Sequence, residues 1–259
     1  MKKKKLFLLT LFLLACVIQV SAQSSTDAEE VYLEYCMKYT VPKFAASQLK
    51  QLIFNREQTK DTACQSANSA LERVKIKLQV DSTYQDSINL ILIPYNNISG
   101  ENLGYVLRLC NRGFCSKKQM HKLQEKALDM ARRLEKNPRM NVWNEEMEFL
   151  QKVLSKKQQI GFFELKNIDK INNDLNTAWK KLTDANLDIE LDSATDYPQA
   201  YQYFVKVNMV NELYRYQEEL RVKNLEELRK HQPYVIRLLE GLENKKRVEK
   251  KNVGTEFIW

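Results

Sequence analysis

Five cysteines and two histidines hold most of the chain's scope for chemistry, and their spacing narrows it. Cys110 and Cys115 lie five residues apart. In an unbroken helix that separation turns the two thiols about 140° away from each other and forbids a disulfide. The residues between and after them offer a break: Asn111-Arg112-Gly113 can turn, and Ser116 with Gln119 forms the pattern of a capping box that starts a new helix. A Cys110–Cys115 bridge across that break is expected, which leaves Cys36 to pair with Cys64 in a compartment where disulfides persist. The competing use is a redox dithiol, but such pairs usually stand as Cys-x-x-Cys at a helix N-terminus, and that spacing does not occur here. The fifth thiol, Cys16, ends Leu13-Leu14-Ala15-Cys16, the pattern of a lipobox, although Val17, Ile18 and Val20 beyond it are more apolar than an anchored chain's exit from the bilayer.

Other catalytic sets are harder to assemble. Metal centres in helical bundles use Glu-x-x-His on one face, and neither His121 nor His231 has a glutamate three residues before it. Glu227 and His231 share a helical face and read as a surface ion pair. No serine lies in a Gly-x-Ser-x-Gly turn. Neighbouring acids such as Glu145 with Glu146, or Glu218 with Glu219, diverge when they sit on helices. The sequence therefore presents no catalytic, cofactor-binding or metal-ligating set; a hydrolytic pair of carboxylates assembled only by the fold is the remaining enzymatic alternative.

Two groups of residues have the character of a partner surface. Tyr197, Tyr201, Tyr203, Tyr214 and Tyr216 lie so close together that, at about 100° per residue, they cannot share one helical face. Outward tyrosines suit contacts with proteins or glycans, because each brings a large apolar area and a polar tip at low entropic cost. The plainer alternative is that they line a helical hairpin with their hydroxyls reaching solvent. The second group is the terminal Phe257-Ile258-Trp259, which either folds back or docks into a partner. Tyr201, Tyr203, Tyr214, Tyr216, Phe257 and Trp259 are the candidate partner-binding residues.

The elements that must position these residues are helices. Six glycines and five prolines in 259 residues, with 29% charged and 44% hydrophobic residues, argue against nucleotide-binding sheets and β-sandwiches and for an all-α chain of amphipathic helices. Thr26 with Glu29 reads as a capping box before a first helix ending at Pro42, and a second helix follows over 43–56. Ala67, Ala70, Leu71, Val74 and Leu78 repeat at helical spacing. Val74, Ile76, Leu78 and Val80 also alternate, so a small β-hairpin over 73–95 is the alternative to helices capped at Ser82. Further helices are expected up to Cys110, over 117–137, and through Trp143, Met147 and Leu150. Leu165, Ile168, Asn172, Leu175, Trp179, Leu182 and Ala185 form a heptad-like stripe, with Asn172 at an inward position. Across the acidic segment 187–196, a helix begun by Asp196 and Pro198 would pair with it, making a long antiparallel helical hairpin of 162–186 and 198–231 within an elongated bundle.

Lys2–Lys5, the apolar run Leu6–Ile18 and the small residues before Gln23 have the form of an export signal cleaved after Ala22. The expected organisation is a signal at 1–22, an N-terminal helical subdomain with disulfides at 23–137, and a C-terminal hairpin with a basic tail at 138–259. Without the lysines of the signal the formal charge falls from +8 to +4, and Lys245–Lys251 supplies that remainder, which gives no concentrated basic face for nucleic acid. The expectation is a periplasmic or secreted, non-enzymatic interaction or scaffold protein of the bacterial cell envelope, binding another envelope protein or its own copy. Its alternatives are an envelope glycan-binding or carboxylate-dependent hydrolytic protein, and a lipoprotein anchored to the membrane through Cys16.

Overall fold

The computed structural model describes the backbone of residues 27–185 and 191–255, with side chains up to residue 244. The export signal, Cys16, part of the acidic connection, Phe257 and Trp259 lie outside the described residues. The described chain is all-α. Residues 27–38 form α1, followed by α2 (Lys43–Cys64), α3 (Ala70–Leu92), a 3-10 turn (Ile93–Tyr95), α4 (Glu101–Cys110), α5 (Lys117–Lys136) and α6 (Trp143–Val153). Then come α7 (Lys156–Lys166), α8 (Ile168–Thr183), α9 (Asp196–Leu213), α10 (Glu218–Lys230) and α11 (Tyr234–Thr255). Two compact units divide inside α6, after Glu146, whereas the sequence pattern suggested a boundary at 137/138, in the loop before that helix.

Local signals explain several helix ends. Pro42 stands at the N-cap of α2, Pro138 follows α5, and Pro198 lies in the first turn of α9, where a missing N–H is harmless. Ser116 and Gln119 form the expected reciprocal cap, and Ser155 and Gln158 form a second one at the start of α7. The small β-hairpin at 73–95 does not form. Ser69, not Ser82, caps α3, accepting from the Glu72 N–H at 3.1 Å, and the helix runs without interruption through residues 82–85. The β-like alternation of its apolar residues loses because a hairpin would surrender the backbone ladder that this cap starts.

In the first unit α2 packs on α3, with Leu49 and Ile53 buried against Ile88 and Leu92 and tyrosines 32, 35 and 84 around them. Each such side chain contributes about 1.5–3 kcal/mol on full burial. Arg56, Glu57 and Lys60 of α2 meet Asp81 of α3 in a balanced, largely enclosed charge cluster, with Lys60 Nζ 2.6 Å from Asp81 Oδ1. Gly104 allows α4 to seat on the 3-10 turn, since a Cβ there would lie 2.6 Å from the Ile93 carbonyl oxygen. Cys110 and Cys115 form the disulfide, their Cα atoms 4.8 Å apart, across a turn in which Gly113 adopts φ 88°.

The expected Cys36–Cys64 bridge does not form, and both are free thiols. Glu29 of α1 pairs with Lys50 of α2 at 2.6 Å, so α1 lies back along the first half of α2 and leaves Cys36 near that helix's start. Cys64 is the last of its 22 residues, roughly 33 Å further on, beyond the ~7 Å Cα separation a disulfide spans.

In the second unit the long two-helix hairpin is also not what forms. Asn167 ends α7, its Nδ2 donating to the Phe163 carbonyl at 3.0 Å, and α8 starts afresh. A second break at residues 214–217 separates α9 from α10. The break at Asn167 moves the inward face, so that Ile171, Leu175, Ala178 and Leu182 are buried while Ile168 and Asn172 are exposed. Leu175 and Leu182 pack with Ala200 of α9 and with Val235 and Ile236 of α11.

Candidate functional site

The apolar repeat of α3 meets two different fates along one helix. Ile88 and Leu92 are buried against α2, but Leu71, Val74 and Leu78 remain 66%, 54% and 64% exposed. Their i, i+3, i+7 spacing places all three on one face. Single exposed leucines are ordinary on a protein surface; a row of them on one helical face is the feature that marks contact surfaces. Lys75 and Lys77 lie beside the row, both exposed and without an ion-pair partner among the described residues. Lys75 and Lys77 stand on opposite sides of the stripe, so it is bordered by positive charge.

The tyrosines of α9 and its C-terminal end are divided between packing and exposure. Tyr197, Tyr201 and Tyr203 pack against the core of the second unit. The Tyr197 hydroxyl donates to Asn176 Oδ1 at 3.1 Å and that of Tyr201 to Glu164 Oε1 at 2.9 Å. Burial, together with the Glu164 carboxylate, pushes the Tyr201 phenol up to about 12. Tyr214 is half-buried and Tyr216 is 57% exposed, so the structure does not gather the five into one outward patch. Tyr203 lines a cleft of about 420 Å³ with Gln202, Lys206, His231 and Pro233. The Glu227–His231 pair is a surface contact at 3.8 Å.

No family model matches the chain, and neither does any curated protein or solved structure.

The neighbouring acids Glu145 and Glu146 diverge completely. Glu145 meets Lys126 at 2.5 Å and Arg133 at 2.7 Å, and these cations hold its carboxyl down at about 2. Glu146 is buried and caps α4 from another helix: Oε1 accepts from the backbone N–H groups of Asn102 and Leu103, both at 3.0 Å, and Oε2 accepts from Asn102 Nδ2 at 2.9 Å. A negative charge at a helix N-terminus is favourable, and this one is enclosed where no substrate reaches it. None of the described clefts has two carboxylates in its lining. Among the described residues no three His, Cys, Asp or Glu side chains are grouped to hold a metal, and no helix is long and apolar enough to cross a membrane.

The first unit has a more polar cleft of about 400 Å³, where the end of α1, the last turns of α3, the loop after the 3-10 turn and the end of α5 converge. Its polar lining is Lys38, Tyr39, Gln85, Asn89, Asn97 and Glu135. Sequence reasoning did not find these residues, since isolated amides on helices are common and nothing in their spacing relates position 39 to position 97 or 135. The α3 stripe was visible as a pattern, but its exposure was not.

Proposed function

We propose that this chain is an exported, non-enzymatic interaction protein of the cell envelope, and that α3 docks an amphipathic helix of another protein whose apolar row is flanked by acids. The exposed row of Leu71, Val74 and Leu78 carries the proposal. Covering these side chains, 54% to 66% exposed, returns up to about 1.5–3 kcal/mol for each, set against the entropic cost of association. The basic border selects the occupant: a second copy would set lysines against lysines, whereas acidic flanks complement Lys75 and Lys77 and speed association.

The test is a photoreactive benzophenone amino acid at position 74 of the full chain, in cells that make the protein natively, with the adduct mapped by mass spectrometry. The expected adduct joins position 74 to an acid-flanked amphipathic segment of one defined protein and is lost when Lys75→Glu and Lys77→Glu are introduced together. Crosslinks to the chain itself, to lipid or to nothing, or an adduct indifferent to charge reversal, would sink the proposal.

A further inference from the structure

We infer that Asp81 is the positioning residue of the outer half of α3, and that it acts by charge: with Arg56 and Lys60 of α2 it closes a clasp on which the helical order of residues 70–80 depends. From residue 57 to residue 87 no apolar residue is buried, so the outer turns of α2 and α3 share no apolar core. The buried apolar contact between the two helices lies further in, where Leu49 and Ile53 meet Ile88 and Leu92. Beyond it the junction is polar. Lys60 Nζ lies 2.6 Å and Arg56 Nε 3.5 Å from Asp81 Oδ1, and the same two cations meet Glu57 Oε1 at 3.1 and 2.8 Å. The side chains of Arg56, Glu57 and Lys60 are at most 13% exposed; that of Asp81 is 38% exposed, but its Oδ1 is buried. Asp81 is the one member of this cluster on α3. Further out, Cys64 Sγ stands 3.8 Å from the Arg73 carbonyl oxygen, a weak contact.

The cluster balances two cations against two anions. Without the Asp81 charge two enclosed cations share one anion, and an enclosed charge lacking its partner is strongly destabilising. The readiest relief is for Lys60 to reach water. Inward, the apolar contact keeps α2 and α3 together; outward, no buried apolar residue resists their parting. The Ser69 cap alone does not hold the freed segment, because about ten residues are too few for an isolated helix to persist. The loss therefore stays local, as in sub-global opening, and takes the row of Leu71, Val74 and Leu78 with it. The consequence for binding rests on the docking reading of α3: an ordered row meets its partner preorganised, whereas a melted one must be ordered on binding, which weakens association.

The experiment is amide hydrogen exchange of the full chain for the parent, for Asp81→Asn and for the double variant Lys60→Met with Asp81→Asn. Asp81→Asn keeps the shape and removes the charge. It should speed exchange at residues 74–80 at least about tenfold and leave residues 49–53 and 88–92 within about twofold of the parent. The double variant restores the charge balance and should recover most of the protection, which a loss of packing alone would not do. Unaltered exchange at residues 74–80 in Asp81→Asn, an equal rise throughout α2 and α3, or no recovery in the double variant would overturn the inference. The photocrosslink at position 74 separates the clasp from the docking. Asp81→Asn should reduce that adduct at least about fivefold, and the double variant should restore it. A parent that gives no adduct removes the docking reading while exchange still decides the clasp. An undiminished adduct in a variant with fast exchange would break the link between them.

Discussion

Glu145 and Glu146 differ by one position and do opposite work. Glu146 satisfies the N-terminal N–H groups of α4 from 44 and 43 residues away, and Gly100 makes the approach possible: its φ is 100°, and a Cβ there would collide with the Glu146 carboxylate. Glu146→Gln replaces an accepting oxygen with a donor facing donors, which should cost about 1–3 kcal/mol. Gly100→Ala adds backbone strain of about 1–3 kcal/mol to that collision. Urea denaturation checks both, and a loss below about 0.5 kcal/mol in each would mean that the cap does not support the fold. Glu145 is more open to solvent, and its value is pH-dependent. Its folded carboxyl, held near 2, is depressed from an ordinary 4.5, first by the hydrogen bond from Arg133 and then by that from Lys126. The stabilisation is therefore complete above about pH 5 and is lost as pH falls through 4.5 towards 2. With the side chain 38% exposed, solvent screening reduces it to about 1 kcal/mol or less. Glu145→Gln should lower the urea midpoint at pH 6 and converge with the parent near pH 2; a constant difference across that range would exclude the linkage.

At the scale of elements, α3 is the informative case. Its buried end and its exposed row have the same residue chemistry, so their roles can be separated by substitution. Leu71→Gln with Leu78→Gln should change stability by no more than about 0.5 kcal/mol, because neither side chain is buried in the fold. Ile88→Ala, in the α2–α3 core, should cost about 2–5 kcal/mol. Thermal and chemical unfolding compare the two, and a large loss in the glutamine variant would make the row part of the core after all. The charge cluster of Arg56, Glu57, Lys60 and Asp81 also marks where the apolar contact between α2 and α3 gives way to a polar one. Beyond it, Leu71, Val74 and Leu78 have no buried place in the fold.

At the scale of the molecule, two units each build a core and each presents a cleft. The all-α class, the start of α2, the end of α4, both ends of α5, the Ser116 cap and the Cys110–Cys115 turn were legible in the sequence. These depend on partners within about one or two turns, so each segment carries its own determinants. The tertiary structure decided the rest. Asn167 broke the heptad-like stripe and rotated the inward face to Ile171, and the length of α2 kept Cys36 from Cys64. Only assembled helices bring Glu146 to Asn102, Asp86 to Arg132 and Thr40 to Asn96. Those contacts span 44, 46 and 56 residues, and their energy depends on which faces meet across the core. A helical pattern states which residues share a face; whether that face is buried, binds a ligand or waits for a partner is set by what the rest of the chain packs against it.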